Sequence, residues 1–346
     1  MFLLICILVM WVMIFGVACF YFGSLDKQLT PQVIYRFTLA ILMATLIWIL
    51  GAYFFFAFEG KMQTLMTVKS VSLERALDLL FQLCFCLYAV VMLIGAIIDR
   101  VKTSHLLLLV GVWISLVYTP LAYLMWNTEG LLANLGARDF SGGMVVHLSA
   151  GLSTYILAHF AGKTPHQHEK IRQEWLYLGM ILVTFGWFGF NVGPVGQLNA
   201  LAGQVLLNTL LAIVCGGFSW SLVTFLRHKE ESTVALLNGM IVGLVTSTAG
   251  VGYLNTGEIS LLTFVASGLT CLLTDYLSHQ LPVDDVVDSF AMNGIGGFLG
   301  SLGFALLRPQ LLLPQILAIF VTIFLSTLVS FVLGKALLQH KTKKVE

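Results

Sequence analysis

The sequence carries little charge for its length. Asp, Glu, Lys and Arg make up 10% of its 346 residues and hydrophobic residues make up 58%, whereas globular proteins have about 25% charged residues. A soluble chain of this size could not bury so much apolar surface. Several windows of about 20 residues hold almost no charge, which is the length that a helix needs to cross a membrane. The composition therefore predicts an all-α polytopic membrane protein.

The sequence also lacks the patterns that mark enzymes, cofactor sites and nucleic-acid-binding proteins. It has no phosphate-binding glycine loop, no nucleophile–base pair and no thiolate or carboxylate cluster with metal spacing. The six cysteines all lie in apolar segments, which favours packing residues over a disulfide or metal framework. His166 and His168, in "HQH", are interpreted as residues of a solvated loop. The net charge is +1 and the basic residues are spread over short loops, so no enzyme, cofactor or nucleic-acid partner is predicted.

Eleven apolar segments are predicted to span the lipid bilayer. They are residues 2–23, 33–57, 79–98, 105–125, 142–161, 176–193, 199–225, 233–252, 259–278, 288–306 and 314–340. An odd number of spans puts the two termini on opposite sides of the membrane. With the N-terminus outside, thirteen Lys and Arg residues face the cytoplasm and five face outward, as the positive-inside rule requires. The prediction is a multi-pass protein of the cell inner (plasma) membrane, with a cytoplasmic C-terminus.

A weak internal symmetry suggests how the spans are organised. "DFSGGMVVHLSAG" (139–151) opens span five and "DSFAMNGIGGFLG" (288–300) opens span ten. Each begins with Asp and an aromatic residue, then places one polar side chain among apolar and small ones. Units of five spans have opposite topology, as in the inverted repeats of many transporters. We predict one transmembrane domain, 1–340, with spans 1–5 and 6–10 as repeats, span 11 peripheral, and 341–346 as a short cytoplasmic tail.

Two polar side chains inside the predicted spans are candidates for function. His147 lies well within span five and Asn293 within span ten, and polar groups at membrane depth are costly and usually functional. If spans 1–5 and 6–10 are inverted repeats, His147 and Asn293 occupy equivalent positions in the two halves. Asp139 and Asp288 are predicted to cap the N-termini of their helices, and Asn191 to hydrogen-bond across helices.

Aromatic residues collect at the predicted outer ends of several spans. Phe81 and Phe85 are four residues apart and share one face of span three. Trp126 ends span four, and "GWFGF" ends span six. These rings suit an interfacial aromatic belt and equally a cation–π cage for a small ammonium-type ion. Their spacing does not decide between the two.

Together these segments resemble the ammonium transporter (ammonium/methylammonium permease, Amt/Rh) family. The matching runs, in family order over essentially the whole chain, are "FQLCF", "DFSGGMVVHLSAG", "GWFGFNVG", "LLNTLLA", "TAGVGY" and "VDDVVDSFAMNGIGG". The resemblance implies the ammonium transporter fold, assembled as a homotrimer with one pore in each subunit. It also implies an outer ammonium site of aromatic rings and a serine hydroxyl. Below that site a phenylalanine gate leads to a narrow pore lined by two hydrogen-bonded histidines.

The resemblance assigns residues to the outer site. The positions that it implies for ammonium binding are Trp126, Phe85, Phe81, Asp139 and Ser141. Trp126 is similar to the cage tryptophan, and Phe81 and Phe85 are similar to the gate and cage phenylalanines. Asp139 is similar to the structural carboxylate below the recruitment site.

The resemblance also assigns the gate and the pore. Phe85 and Phe190 match the two gate rings, and His147 matches the first pore histidine. Two positions depart from the family pattern. Pro194 occupies the position of the cage serine, and Asn293 occupies that of the second pore histidine. The amide of Asn293 can form hydrogen bonds, but it cannot relay a proton as a pair of imidazoles can.

Three hypotheses for function follow from these departures. The first is an ammonium sensor or receptor with impaired conduction, which requires a cytoplasmic signalling domain or regulatory protein as partner. The second is a conducting ammonium transporter or channel. The third is a pore with altered cation selectivity.

Overall fold

All regular structure in the described part of the chain is helical. The computed structural model describes residues 1–57, 71–164, 171–280, 283–285 and 287–338. The helical stretches are α1 (Phe2–Ser24), α2 (Lys27–Ala52), α3 (Leu73–Leu93), α4 (Thr103–Asn134), α5 (Gly143–Ala161), α6 (Gln173–Val195), α7 (Ala200–His228), α8 (Thr233–Ser247), α9 (Thr256–Gln280), α10 (Phe290–Leu307) and α11 (Pro309–Leu337). All of these except α8 are long and apolar enough to cross a membrane. Each predicted span overlaps one of them, which confirms the polytopic helical fold.

Some sequence predictions fall on residues that are not described. His166, His168 and the predicted tail, 341–346, lie outside the described residues. The loop lysines Lys61, Lys69 and Lys170, which enter the charge count for topology, also lie outside them.

Two helices end earlier than their predicted spans, and carbonyl groups of the turns that follow them accept hydrogen bonds from other segments of the chain. The apolar run of the third span continues to residue 98, but α3 ends at Leu93 and a series of turns covers 94–100. In these turns the carbonyl of Ile98 accepts from Arg36 of α2 at 2.6 Å. Likewise α8 ends at Ser247, and turns cover 248–253. Hydropathy alone does not reveal such a stop, because apolar residues such as Ile94, Ile97 and Ile98 continue past the last helical residue of α3.

Close contacts between helices depend on glycine. A Cβ atom added to Gly243 of α8 would lie 2.0 Å from the carbonyl oxygen of Ala212 of α7. A Cβ atom on Gly151 of α5 would lie 2.1 Å from the backbone nitrogen of Gly294 of α10. Small residues let backbones approach within a membrane, where dispersion and hydrogen bonding drive helix association. The second contact holds together the two helices that carry His147 and Asn293.

The helices α5 and α10 start in the same way, and the residue that caps α10 differs from the predicted one. Asp139 Oδ2 accepts from the backbone N–H of Met144 at 2.9 Å, five residues later. Asp285 Oδ2 accepts from that of Phe290 at 2.6 Å, also five residues later. The prediction that Asp288 caps α10 is wrong: its carboxylate instead accepts from Asn238 at 3.3 Å.

Further likenesses between the halves support the predicted inverted repeat. His147 follows Asp139 by eight residues, and Asn293 follows Asp285 by eight. Both α5 and α10 begin with a π-helical turn, Gly143–Leu148 and Phe290–Ile295, a feature frequent at functional sites. His147 and Asn293 lie within these turns.

Candidate functional site

An aromatic cavity lies beside the N-terminal half of α3. It has a volume of about 330 Å³, and Phe81, Phe85, Trp126 and Pro194 are among its lining residues. The indole of Trp126 is oriented by a hydrogen bond from Nε1 to the carbonyl oxygen of Asp139, at 2.7 Å. The structure therefore brings together Phe81, Phe85 and Trp126, the three rings predicted for the ammonium site, and places Pro194, which has no hydroxyl, beside them.

Two phenylalanine rings, one of them in the cavity wall, stand between this cavity and His147. The ring centroids of Phe85 and Phe190 are 4.4 Å apart, and both side chains are buried. Phe85 also contacts Trp126, with centroids 5.5 Å apart, and Phe81, at 5.1 Å. Phe190 in turn contacts His147 at 5.9 Å. The predicted gate residues thus lie between the cage and the polar pair.

The predicted polar pair forms a direct hydrogen bond. His147 Nδ1 lies 2.9 Å from Asn293 Oδ1. Asn293 Nδ2 donates to the carbonyl oxygen of Ser289 at 3.1 Å. That carbonyl can only accept, so the amide must present its NH2 group to Ser289 and its oxygen to the histidine. His147 Nδ1 must then carry the proton, and Nε2 must be a bare acceptor.

The environment of His147 leaves this acceptor without a partner. Nε2 is buried and has no hydrogen-bond partner among the described residues. The imidazole stacks on Trp187, with centroids 5.3 Å apart and planes 7° apart. Trp187 Nε1, a donor, also lacks a partner among the described residues. Unpaired buried polar atoms cost free energy, so these are the two polar atoms of the site with hydrogen-bonding capacity left for a small polar molecule.

A small second cavity lies next to Asn293. Its volume is about 40 Å³, and its polar lining residues are Tyr21, Tyr88, Ser289 and Asn293. That is roughly the volume of one water molecule. The sequence analysis missed Tyr88, although it is three residues after Phe85 and seven after Phe81, on the same face of α3. Tyr88 also contacts the imidazole of His147, with centroids 5.9 Å apart.

Asp139 organises the start of α5 and does not line the aromatic cavity. Its Oδ2 accepts from the N–H groups of Met144 and Val145, both at 2.9 Å. The left-handed conformation of Gly142, with φ of 97°, turns the chain between acceptor and donors. Burial raises the pKa of the Asp139 carboxyl to about 6, and these backbone hydrogen bonds oppose the rise.

Ser141 is also buried away from the lining of the aromatic cavity. Its hydroxyl donates to Asn191 Oδ1 at 2.7 Å and lies 3.1 Å from the carbonyl oxygen of Thr248. Asn191 Nδ2 donates to Thr209 at 3.0 Å, which confirms that Asn191 bonds across helices. A direct role of Ser141 and Asp139 in ammonium binding stays a prediction.

The chemistry of the site is hydrogen bonding and cation–π attraction. Within the described ranges, no group of three or more His, Cys, Asp or Glu side chains could hold a metal ion. The arrangement offers aromatic faces in the cavity, a pair of phenylalanine rings next to them, and one bare imidazole nitrogen beyond those rings.

The tautomer of His147 can be measured directly. We expect ¹⁵N NMR of protein labelled at histidine to show His147 with a protonated Nδ1 and an unprotonated Nε2, because the Asn293 oxygen can only accept. The Asn293→Leu variant removes that acceptor and serves as the comparison. In this variant the imidazole proton of His147 is free to occupy either Nδ1 or Nε2. A wild-type signal with the proton on Nε2 would contradict the assigned amide orientation.

Comparison with known proteins gives matches over most of the chain. The sequence profile described as "Ammonium Transporter Family" matches residues 1–345. The ammonium transporter of Bacillus subtilis is 31% identical, over 87% of this chain and 78% of its own.

Solved structures share the fold. The crystal structure of Candida albicans Mep2 superposes with a TM-score of 0.85 and 26% identity, covering 97% of this chain and 83% of Mep2. A structure described as a sensor Amt protein gives a TM-score of 0.90, covering 98% of this chain and 93% of its own. At 22% identity, the second likeness concerns the fold alone.

Proposed function

The chain belongs to the ammonium transporter family, and on that premise we propose that it binds NH4+ at the aromatic cavity but conducts it poorly. Its relatives are ammonium transporters, and the chain is not an enzyme. In this proposal it is the receptor module of an ammonium sensor, and occupancy of the outer site is the signal.

The observation that carries the proposal is the hydrogen bond between His147 and Asn293. Two facing imidazoles can pass a proton by exchanging donor and acceptor roles. An amide cannot, since it does not titrate near neutral pH. With Asn293 Nδ2 committed to the Ser289 carbonyl oxygen, His147 is held in one tautomer. A proton taken up at Nε2 then has no titratable neighbour in Asn293 to receive it.

Recognition rests on the aromatic rings. An ammonium ion over the faces of Trp126 and Phe85 gains cation–π attraction, which is stronger where the ion is partly desolvated. Pro194 supplies neither a hydroxyl nor an N–H. Binding at this cavity therefore depends more on the rings than in a site with a serine.

Removing a ring tests recognition. We expect Trp126→Ala and Phe85→Ala each to weaken ammonium binding by about 0.5–2 kcal/mol, the range of cation–π interactions. The measurement is calorimetric titration of the protein in lipid nanodiscs with ammonium chloride. Phe320→Ala, on a ring that is 63% exposed on α11, is the matched control. Unchanged affinity in both variants would contradict a cation–π site and would favour an interfacial aromatic belt as the role of these rings.

A conducting ammonium transporter is the second candidate. The small cavity beside Asn293 favours it, since one water molecule there could continue the path below the amide. Pulses of NH4+, methylammonium and K+ on proteoliposomes separate the candidates. Robust NH4+ current would contradict the receptor and support the transporter. Comparable K+ current would instead support a pore with altered selectivity.

The assembly and orientation follow the same proposal. We infer a homotrimer in the inner (plasma) membrane, with the aromatic cavity facing outward and the C-terminus in the cytoplasm. The uneven distribution of Lys and Arg, thirteen against five, supports this orientation. A cytoplasmic signalling domain or regulatory protein is the partner that reads out the site.

A further inference from the structure

A carboxylate lies in the wall of the aromatic cavity. Asp78 is a lining residue together with Phe81, Phe85, Trp126 and Pro194. It precedes Phe81 by three residues and Phe85 by seven, so all three share one face of α3. This spacing is visible in the sequence, but Asp78 lies outside the matching run "FQLCF", which begins at Phe81.

The carboxylate is held in place by a buried tyrosine. The hydroxyl of Tyr53 donates to Asp78 Oδ2 at 2.8 Å. Tyr53 is buried and its ring contacts Trp48 and Phe56, with centroid distances of 5.9 and 6.4 Å. A donor packed in this way orients the Asp78 carboxylate before any ligand binds. Ligand binding then costs little side-chain entropy at Asp78.

Asp78 is charged while the rest of the cavity wall is not, and its charged neighbours Glu74 and Arg75 lie outside the lining. The lining residues of the cavity, all within the described ranges, include no Lys, Arg, His or Glu, and Asp78 is their one charged side chain. The other polar side chain in the wall is the amide of Gln82. A carboxylate is a stronger acceptor for a cationic donor than a hydroxyl is. An apolar wall with one negative charge favours a cation over a neutral amine.

We propose that the Asp78 carboxylate is a ligand of the ammonium ion in the aromatic cavity, where it supplies the hydrogen-bond acceptor that Pro194 lacks. The inference rests on the proposed function, since it concerns the same outer site. Three aromatic rings attract the cation, and Asp78 accepts one of its N–H groups and balances its charge. Asp78 thereby makes the site selective for the protonated form of the amine.

The test compares four proteins in nanodiscs by titration with ammonium chloride. Asp78→Asn keeps the size of the side chain and removes its charge, so we expect about tenfold weaker binding for a partly exposed pair of charges. Glu129→Gln removes an exposed charge that lies outside the cavity lining, and should change the affinity less than twofold. Tyr53→Phe keeps the charge and removes only the orienting hydroxyl, so its loss should be smaller than that of Asp78→Asn.

The outcomes separate this inference from the proposed function. If the wild type fails to bind ammonium, both are wrong. If the wild type binds and Asp78→Asn binds within twofold of it, the Asp78 inference alone is wrong. Equal losses in Tyr53→Phe and Asp78→Asn would also overturn it, because Asp78 would then act only by anchoring Tyr53.

A second measurement keeps the inference testable if Asp78→Asn does not fold. Infrared difference spectra of the wild-type protein, recorded on addition of ammonium, report carboxylate stretching bands. A carboxylate band that shifts with the same concentration dependence as binding supports the proposal. Saturating ammonium with no change in any carboxylate band would overturn it.

Discussion

Replacing Asn293 with histidine should raise the ammonium current by about 100-fold, the lower end of what a positioned proton-transfer group contributes. The new imidazole would stand where the amide now lies, 2.9 Å from His147 Nδ1. It could accept and release the proton that Asn293 cannot. The measurement is current on proteoliposomes after an ammonium pulse, at equal protein density.

Two further variants decide whether such a gain comes from a restored pair of imidazoles. Asn293→Ala opens space without a titratable group and should leave the current low. His147→Ala combined with Asn293→His leaves a single imidazole and should cancel the gain. If Asn293→His conducts no better than the wild type, the broken-relay explanation is wrong. If Asn293→Ala gains as much current, space rather than proton transfer limits the flux.

Replacing Gly151 with alanine should separate the two helices that carry the polar pair. The added Cβ atom would lie 2.1 Å from the backbone nitrogen of Gly294 and 2.7 Å from the carbonyl carbon of Asn293. Backbone atoms cannot swing aside as a side chain can, so α5 and α10 must move apart. We expect a loss of stability of about 1–3 kcal/mol, as for other overpacked cores. The hydrogen bond between His147 and Asn293 should lengthen or break.

Thermal unfolding in detergent and the His147 ¹⁵N signal together measure this effect. Gly203→Ala in α7 is the matched control, because an added Cβ atom there meets nothing within 4 Å. That variant should be as stable as the wild type or slightly more stable, since alanine favours helices over glycine. A Gly151→Ala protein with unchanged stability and an unchanged His147 signal would contradict the close packing of α5 on α10.

The sequence was sufficient to predict the membrane fold because hydropathy acts over whole helices. Runs of about 20 apolar residues identify spans without any tertiary information. The limits of the turns at 94–100 and 248–253 could not be predicted in this way. Apolar residues continue past both helix ends, and the carbonyl groups of the turns accept from Arg36 and Ser141, partners that are distant in sequence.

The parts of the candidate site that could be predicted are the polar side chains within apolar spans, because such residues are rare at membrane depth. His147 and Asn293 were visible as polar groups in apolar spans, and the structure places them in hydrogen-bond contact. The sequence pattern favours Asp288 as the cap of α10 because Asp288 opens the predicted span, whereas in the structure the carboxylate of Asp285 accepts from the backbone N–H of Phe290. Which of several nearby aspartates caps a helix depends on loop geometry that sequence does not contain.

Other parts of the site depend on tertiary neighbours. Ser141 belongs to the matching motif, but its hydroxyl bonds to Asn191, a residue of another helix. Tyr88 and Asp78 share the face of α3 that carries Phe81 and Phe85, so helical periodicity could have pointed to both. What the periodicity could not show is which cavity each residue lines.

We propose that this protein binds ammonium without conducting it well, and recording both quantities on the same proteoliposomes tests the proposal. Bound ammonium and ammonium-driven current are determined for the wild type and for Asn293→His at matched protein density. We expect saturable ammonium binding in both proteins. The current per bound ion should be low in the wild type and higher in Asn293→His. A wild type that already carries as much current per bound ion as Asn293→His would contradict it.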